Sequence, residues 1–477
     1  MTRRWKVLLV TSVSVFMALL DLTIVNIAFP DIRRSFPTES LSDLSWVLNA
    51  YNIVFAAALV PAGRLADRLG RRRLFLLGVV LFLAASVLAG AAPSIELLIG
   101  ARAVQALGGA ILIPTSLSLI LPEFPLEQRA TATALWTATG AVAAATGPSL
   151  GGLLVDWQGW RVVFFVNLLI GLPALIPARR LLTESRDHDR SSRPDMVGAM
   201  LLALGVGALA LAIVKGQDWG WSSGGVLGAL AAAAVLLPLF IARSARHPTP
   251  VIELGLFRVR SFAIANAGTF VFGLGFYALL LCNVLFLTAV WRYSILGAGA
   301  ALTPGPLMAS LAAPIAGRLA DRLGQRAVAV PGNLLFAAGA MLLALTTDAD
   351  ARYWADFLPA AVLTGAGVGL SLPAFSSAAV AELPRSRFAT GIAIASCFRQ
   401  IGAVLGIAGL VAVLGTPTPS EAIQRFHQAW GMVAVTGALA AVAAVALGRV
   451  RARHVDRVPT ASPNAAVISG KSSGDTG

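Results

Sequence analysis

Residues 63–70 read Gly-Arg-Leu-Ala-Asp-Arg-Leu-Gly, and residues 317–324 repeat the same eight letters. A second, shorter pair follows in each case, with Glu-Phe-Pro at 123–125 and Glu-Leu-Pro at 382–384. The two pairs are separated by similar distances, 254 and 259 residues. Self-similarity of this kind is the signature of a repeated architecture. The chain is therefore built from two halves on one plan.

The stretches around these repeats are strongly apolar. Of the 477 residues, 57% are apolar, 46 are glycine and 13% are charged, which is about half the charged fraction of a soluble domain. A soluble protein must cover its surface with polar groups, so this composition excludes a soluble fold. A bilayer span takes about 20 apolar helical residues. Fourteen such runs are present, at 7–29, 44–62, 74–92, 97–121, 130–155, 162–178, 196–214, 226–242, 261–290, 295–317, 327–347, 357–380, 389–415 and 429–448.

Two of these runs separate the halves. Six spans with short connections need about 190 residues, and the repeats lie about 60 residues further apart than that. The runs at 196–214 and 226–242 carry no repeated motif and fill this gap. The sequence predicts an all-α polytopic membrane protein of six, two and six helices, with two pseudo-symmetric bundles around a central cavity. The predicted parts are a first bundle, two inserted helices with linkers, a second bundle and a disordered cytoplasmic tail, at 1–190, 191–255, 256–450 and 451–477.

The positions of the basic residues predict the orientation. With the amino terminus in the cytoplasm, 28 of the 37 Lys and Arg residues fall in cytoplasmic segments, 7 in outer segments and 2 within spans. This is the bias that orients membrane proteins. Eight of the ten tryptophans lie at predicted outer ends, as expected for indoles at a membrane interface. We therefore expect a multi-pass protein of the cytoplasmic membrane with both termini in the cytoplasm.

Several other classes of protein are disfavoured. The four histidines lie in separate loops or in the tail, without the spacing of metal ligands. The two cysteines lie far apart within apolar runs, and the complete phosphate-loop motif Gly-x-x-x-x-Gly-Lys-Ser/Thr is absent. A membrane enzyme or receptor and an ATP-driven pump are therefore disfavoured, and we expect no cofactor and no metal. The net charge of +14 sits at membrane edges, so a nucleic-acid partner is not expected.

Five stretches resemble motifs of a known family. They are Leu20-Asp21-Leu-Thr-Ile-Val-Asn26-Ile-Ala-Phe-Pro30, Gly63-Arg-Leu-Ala-Asp67-Arg-Leu-Gly70-Arg-Arg-Arg73, Arg102-Ala-Val-Gln105-Ala-Leu-Gly108, Gly147-Pro148-Ser-Leu-Gly151-Gly152 and Arg399-Gln400-Ile-Gly402. Together they resemble the major facilitator superfamily and, within it, the fourteen-span drug:proton antiporters. Two positions depart from the family pattern, since Ala106 stands where glycine is usual and Leu169 where proline is common.

The resemblance implies a fold and a function. It implies the major facilitator fold and a proton-coupled antiporter that exports lipophilic drugs or antibiotics by alternating access. The expected partners are a lipophilic small molecule, protons and membrane lipids, and the protein is expected to be a monomer. A symporter or importer of a small organic solute on the same fold is the alternative. A producer exporting one dedicated metabolite would have the same motifs.

The deepest acid in the sequence is Asp21. It lies about 14 residues, or ~21 Å, into the first span, and a charge within a membrane costs at least about 2.5 kcal/mol on insertion scales. Such a carboxyl can load a proton on one side and release it on the other. Arg102 enters its span at a similar depth, so we predict an ion pair that breaks when Asp21 is protonated, with Gln105 as a polar neighbour. The alternatives are a polar packing residue and a permanent structural pair.

Two groups of residues are predicted to control the change of conformation. Gly147-Pro148 interrupts a helix, and Gly151 and Gly152 allow another helix to approach closely. Acids near the basic loops are expected to pair with loop arginines as a cytoplasmic latch, although topology alone also favours those arginines. The gating set comprises Gly63, Asp67, Arg68, Gly70, Arg71, Glu123, Gly147, Pro148, Gly151, Gly152, Asp321, Arg322 and Glu382.

Polar and aromatic residues within spans are expected to line the substrate cavity, with ordinary packing as the alternative. Arg399 lies near the middle of its span and is expected to contact anionic substrate groups or to stabilise an empty site. One deep acid faces two deep arginines, so a dicationic substrate is less favoured than a monocation, a zwitterion or a neutral amphiphile. The cavity set comprises Asn26, Asn49, Asn52, Gln105, Trp136, Asn266, Tyr277, Arg399 and Gln400, with Tyr51, Phe270 and Asn283 as further candidates.

Overall fold

A computed structural model describes residues 2–125, 128–186, 194–384, 387–415, 418 and 420–448. The predicted tail at 451–477 lies outside the described residues, and so does the side chain of Asp321. The described part contains fifteen α-helices. They are α1 (Arg3–Ser35), α2 (Leu41–Leu69), α3 (Arg71–Gly90), α4 (Ile95–Ile120), α5 (Arg129–Gln158), α6 (Val162–Leu181), α7 (Met196–Trp219), α8 (Gly224–Arg246), α9 (Arg260–Ala289), α10 (Ile295–Leu302), α11 (Pro304–Leu323), α12 (Gln325–Thr346), α13 (Leu358–Val380), α14 (Phe388–Leu414) and α15 (Ala422–Ala446).

Fourteen helical segments of the described chain are long and apolar enough to cross a bilayer, which confirms the predicted number of spans. One of them consists of α10 and α11, which the sequence predicted as a single helix at 295–317. The break falls at Thr303, and Pro304 occupies the first turn of α11, where the missing N–H of proline is tolerated. Other helices run beyond the predicted spans, as α1 does at both ends, because hydropathy detects only the part that matches the hydrocarbon core.

The repeated octapeptide has a structural role that is the same in both halves. Its last residue, Gly70 in the first copy and Gly324 in the second, separates two consecutive helices with φ of 121° and 88°. Side chains other than glycine rarely adopt this backbone region. Each copy therefore ends one helix (α2 or α11) and starts the next (α3 or α12) at a sharp turn.

Helix packing repeats between the halves pair by pair. In the first half α1 packs on α5 and α6, α4 on α2 and α3, and α3 on α6. In the second half α9 packs on α14 and α15, α13 on α11 and α12, and α12 on α15. These pairs correspond one to one if α9 is matched with α1, and if α10 and α11 together are matched with α2. Helices α1–α6 and α9–α15 therefore form two copies of one six-span arrangement.

The two copies meet along two seams. One seam joins α2 to α14, and the other joins α5 to α10. Of the two inserted helices, α7 packs against both α2 and α14, and α8 packs against α7. The inserted pair thus covers one side of the seam between α2 and α14.

Candidate functional site

Asp21 of α1 is completely buried and forms an ion pair with Arg102 of α4. The Nη1 atom of Arg102 donates to Oδ2 of Asp21 and also to Oε1 of Gln105, the latter at 2.6 Å. Gln105 lies one turn further along α4, and its Nε2 donates to Oδ1 of Asp21 at 2.9 Å. The structure therefore brings together the three residues that the sequence placed at similar depth.

Two further residues complete the environment of Asp21, and the sequence analysis did not identify them. Nδ2 of Asn167 in α6 donates to Oδ1 of Asp21 at 3.0 Å. The hydroxyl of Ser86 in α3 accepts hydrogen bonds from Gln105 at 2.9 Å and from Asn167 at 3.2 Å. A signal for Asn167 existed, since it is the one polar residue in the apolar run 162–178. Four helices of the first half thus supply the cluster around one carboxylate.

Arg102 is held on its other sides as well. Its Nε donates to the carbonyl oxygen of Val47 in α2 at 3.3 Å. Its guanidinium carbon lies 4.2 Å from the ring centroid of Tyr51 and 5.7 Å from that of Phe164. A desolvated cation over an aromatic face gains about 2 kcal/mol. Because the side chain is only 1% exposed, loss of its carboxylate partner would leave an uncompensated buried charge, at a cost of about 3–5 kcal/mol.

A small cavity separates Arg102 from the second half. Its volume is about 10 Å³, close to the space that one water molecule needs. Residues of both halves line it, namely Leu22, Asn26, Leu48, Asn52, Arg102, Tyr277 and Ile407. Oδ1 of Asn26 is buried without a hydrogen-bond partner among the described residues. The cavity is therefore polar on one side and of a size to hold one bridging water.

A chain of polar contacts crosses between the halves beside this cavity. The hydroxyl of Tyr277 in α9 donates to Oε1 of Gln400 in α14 at 2.9 Å. Nε2 of Gln400 lies 3.4 Å from Oδ1 of Asn52 in α2. Three residues of the predicted cavity set thus meet at the interface, next to the helix whose backbone holds Arg102.

Other residues of the predicted cavity set make different contacts. Trp136 donates from Nε1 to the hydroxyl of Ser116 at 3.0 Å, and Asn266 donates to the carbonyl of Phe262 in its own helix at 2.7 Å. Asn49 is buried, with no hydrogen-bond partner for its amide among the described residues. None of the three lines the small cavity, and their contact with a substrate stays a prediction. Asn283 accepts a hydrogen bond from Trp430 at 2.9 Å.

The glycine motif of α5 packs at backbone distance against helices of both halves. A Cβ on Gly147 would lie 2.1 Å from Oγ1 of Thr23 in α1, and one on Gly152 would lie 3.0 Å from the carbonyl oxygen of Ile295 in α10. In the opposite direction, a Cβ on Gly299 of α10 would lie 2.3 Å from the carbonyl oxygen of Pro148. Side chains larger than hydrogen do not fit at this seam without displacement. Gly151 is similarly close to Ile24.

The acids of the predicted latch have mixed partners. Asp67 pairs with Arg71 of the same motif at 2.8 Å, and Glu123 pairs with Arg3 at 3.2 Å. Glu382 accepts a hydrogen bond from the hydroxyl of Ser261 at 2.7 Å. Arg68 and Arg322 are exposed, and a Cβ on Gly63 would lie 3.4 Å from Cβ of Pro114.

A carboxylate outside that set connects the halves directly. Oε1 of Glu253 is 2.8 Å from Nη2 of Arg64 in α2, and its Oε2 is 2.6 Å from Nη1 of Arg387, immediately before α14. Glu253 lies in the segment between the inserted helices and α9. No sequence motif marks Glu253, because the repeat has no counterpart of this segment.

The chain contains two six-span copies that meet at polar and glycine seams, and one copy buries an ionisable cluster. This arrangement defines a secondary membrane transporter. A family profile described as Major Facilitator Superfamily matches residues 11–311 and 265–472. The chain belongs to the major facilitator superfamily. Members are transporters, so the protein is not an enzyme, as the sequence predicted.

Curated relatives match this chain over most of its length. The Multidrug resistance protein Stp of Mycobacterium tuberculosis is 36% identical over 408 residues, which cover 85% of this chain and 75% of the relative. The Tetracenomycin C resistance and export protein of Streptomyces glaucescens is 32% identical over 428 residues, covering 90% and 78%. The Methylenomycin A resistance protein of Bacillus subtilis is 32% identical over 404 residues, covering 84% and 86%.

Solved structures agree on the fold. A crystal structure of the peptide transporter POT in complex with sulfate superimposes with a TM-score of 0.66. The superposition covers 93% of this chain and 95% of the chain of the peptide transporter, at 16% sequence identity. At this identity the likeness concerns the fold alone. The predicted major facilitator fold is confirmed.

Proposed function

We propose that this protein exports lipophilic drugs or antibiotics across the cytoplasmic membrane in exchange for protons. The relatives are named for multidrug resistance or for antibiotic resistance and export, which supports this substrate class. The observation that carries the proton coupling is the buried ion pair of Asp21 and Arg102 within a membrane span. In this proposal the chain works as a monomer with both termini in the cytoplasm, and its parts are those predicted from the sequence.

The proposed coupling step follows from charge balance around Asp21. When the carboxylate is ionised it compensates Arg102 and accepts from Gln105 and Asn167. Protonation removes the negative partner and leaves Arg102 as an uncompensated cation in a dry environment, which is strongly unfavourable. Arg102 must then find another partner or more water, and it moves relative to α1. One proton on Asp21 therefore changes which helix packing is stable.

The contacts of Arg102 connect this step to the second half. Arg102 binds the backbone of α2 at Val47 and stacks on Tyr51 of the same helix. One residue beyond Tyr51, Asn52 meets Gln400 of α14. A movement of Arg102 therefore acts on α2 at the level where α2 touches the other half. We propose that this shifts the halves between two access states, since packed interfaces change between discrete arrangements.

The glycine seam fits exchange. Gly152 and Gly299 let α5 and α10 meet backbone to backbone, and Gly147 lets α5 close on the side chain of Thr23 in α1. A seam of this kind excludes water while it is closed and must separate when access changes. The positions of the basic residues predict that the carboxyl-terminal half of α5, which carries Gly147 and Gly152, lies towards the outer side of the membrane. We propose that the seam closes this outer side and that it limits proton leak.

The proposal is tested in proteoliposomes with a preset proton gradient and a panel of lipophilic dyes and antibiotics. Substrate added to wild-type protein should release protons down the gradient, as exchange requires, whereas symport would move protons and substrate in the same direction. Asp21→Asn should retain part of its ligand binding and lose proton-coupled transport by about a hundredfold or more, since the variant cannot exchange a proton. Asp350→Asn, in an exposed loop, is the control and should behave as wild type. Unchanged coupling in Asp21→Asn would remove Asp21 from the mechanism.

A further inference from the structure

The second arginine within a membrane span, Arg399, lies near the middle of α14. It is eleven residues from the first residue of the helix, Phe388, or about 17 Å along the helix axis. An ionisable side chain at this depth faces the protein interior or a water-filled space and marks a functional site by default. Nothing in the coupling scheme around Asp21 uses Arg399.

Arg399 differs from Arg102 in whether a carboxylate balances its charge. Among the described residues no carboxylate lies within ion-pair distance of Arg399, whereas Arg102 is paired with Asp21. Nε of Arg399 is buried without a hydrogen-bond partner in the described part of the chain. The guanidinium lies beside the hydroxyl of Tyr277, a group that can accept or donate but carries no negative charge. The cation is therefore held in place without being neutralised.

The direction in which Arg399 points follows from the contacts of α14. Gln400 faces α2 through Asn52. Gly402 faces α9, because a Cβ there would lie 2.4 Å from the carbonyl oxygen of Phe270. On a helix of 3.6 residues per turn, Arg399 falls between these two faces.

The same sector of α14 carries Ser396 and Ile392, and Ile392 is 49% exposed. The inserted helix α7 packs against both α2 and α14. The sector of α14 that carries Arg399 therefore faces the space between α2 and α9, which belong to different halves. Arg399 is only partly buried, so a ligand in this space can reach it.

We propose that Arg399 and Tyr277 form a subsite for the anionic group of the transported molecule, and that the substrates are lipophilic organic acids with a carboxylate. This rests on the proposed export function. The guanidinium offers parallel N–H donors that match a carboxylate in a bidentate arrangement. The Tyr277 hydroxyl supplies a third contact once it turns from Gln400. The acid of the first half does not compete for Arg399, because Asp21 is already bound to Arg102.

The test compares a fluorescent aromatic carboxylic acid with its methyl ester on purified full-length protein. Binding is measured in phosphatidylcholine vesicles without a proton gradient, so the result does not depend on coupling. Arg399→Gln should weaken binding of the acid at least about tenfold and leave the ester within about twofold. Arg399→Lys should restore part of the affinity for the acid, since it keeps the charge and loses the bidentate geometry. Arg425→Gln, which removes an exposed arginine near the start of α15, is the control.

The outcomes separate this proposal from the proposed function. Equal losses for acid and ester in Arg399→Gln, or no loss for either, would overturn the anionic subsite. Displacement of the acid from wild type by vesicles that contain phosphatidylglycerol would assign the site to a lipid headgroup and also overturn it. Selective binding of the acid together with no proton-driven transport by wild type would keep the subsite and contradict the export function.

Discussion

Asn167 shows how one uncharged residue supports the ion pair of Asp21 and Arg102. Its amide donates to Oδ1 of Asp21 and to Ser86, so it stabilises the ionised carboxylate. A hydrogen bond to a charged group contributes about 1.5–3 kcal/mol. Asn167 is therefore expected to fix the carboxylate of Asp21 in the position where it meets Arg102 and Gln105.

Asn167→Ala should consequently slow proton-coupled transport, because the carboxylate of Asp21 is then less firmly held against Arg102. Loss of one hydrogen bond to a charged group, about 1.5–3 kcal/mol, should lower the rate about tenfold, since 1.36 kcal/mol corresponds to a factor of ten in rate. The measurement is the rate of substrate-driven proton release at one fixed pH. Asn333→Ala is the matched control, because Asn333 is a buried asparagine of the second half whose amide, among the described residues, donates to Ala329 of its own helix alone. An unchanged rate of proton release in Asn167→Ala would contradict the role assigned to the amide.

The sequence was sufficient to find Asp21, Arg102 and the neighbouring Gln105 and insufficient to find Ser86 and Asn167. Asp21 and Arg102 stand out because a charge within an apolar run is costly and rare. Ser86 and Asn167 do not, because hydroxyl and amide groups occur in many spans and satisfy themselves within their own helix. Their role depends on the crossing of α3, α4 and α6 at one level, which is a tertiary property. Glu253 was missed for a related reason, since its two arginine partners come from distant segments.

At the level of helices, the sequence predicted the number of spans and their order but not their interruptions. The break at Thr303 lies in a run whose hydropathy is continuous, and only Pro304 marks it. Its consequence is that α10 stands as a separate short helix against α5. A separate segment of this size can adjust its packing independently of α11, which a continuous helix could not do.

Gly299→Ala should therefore oppose closure of the seam between α5 and α10. The added methyl would lie 2.3 Å from the carbonyl oxygen of Pro148, and overpacking of this kind costs about 1–3 kcal/mol. A reporter cysteine at Ala298, which is buried in α10, should react faster with an impermeant maleimide, and the midpoint of thermal unfolding should fall. Gly228→Ala in α8 is the control, because open space surrounds that position. Equal labelling rates in both variants would show that the seam does not need this glycine.

For the whole molecule, the inserted helices raise the question of which half they accompany. At one end α7 is bound to the first half, since Lys215 pairs with Asp43 of α2 at 2.6 Å and Asp218 accepts from Ser42. Its contact with the second half is the packing against α14. After α8, Glu253 holds Arg64 of the first half and Arg387 of the second. If the halves rock, either the pair with Arg387 or the ties to α2 must break.

We expect the ties to α2 to persist and the contact with α14 to change. The two links to α2, at Lys215 and Asp218, are harder to break together than the single ion pair with Arg387. The side chain of Arg387 is 51% exposed, and an exposed ion pair contributes little to stability.

Spin labels test this. Distances are measured by pulsed electron resonance from Met200 of α7 to Leu69 of α2 and to Ile392 of α14, at high and low pH with substrate present. The first distance should stay within a few ångströms and the second should change by more, as rocking of one bundle against the other requires. The pair Met200 and Leu239, within the inserted helices, controls for label motion. If the distance to α2 changes while the distance to α14 stays fixed, the inserted pair moves with the second half and the ties at Lys215 are the ones that break.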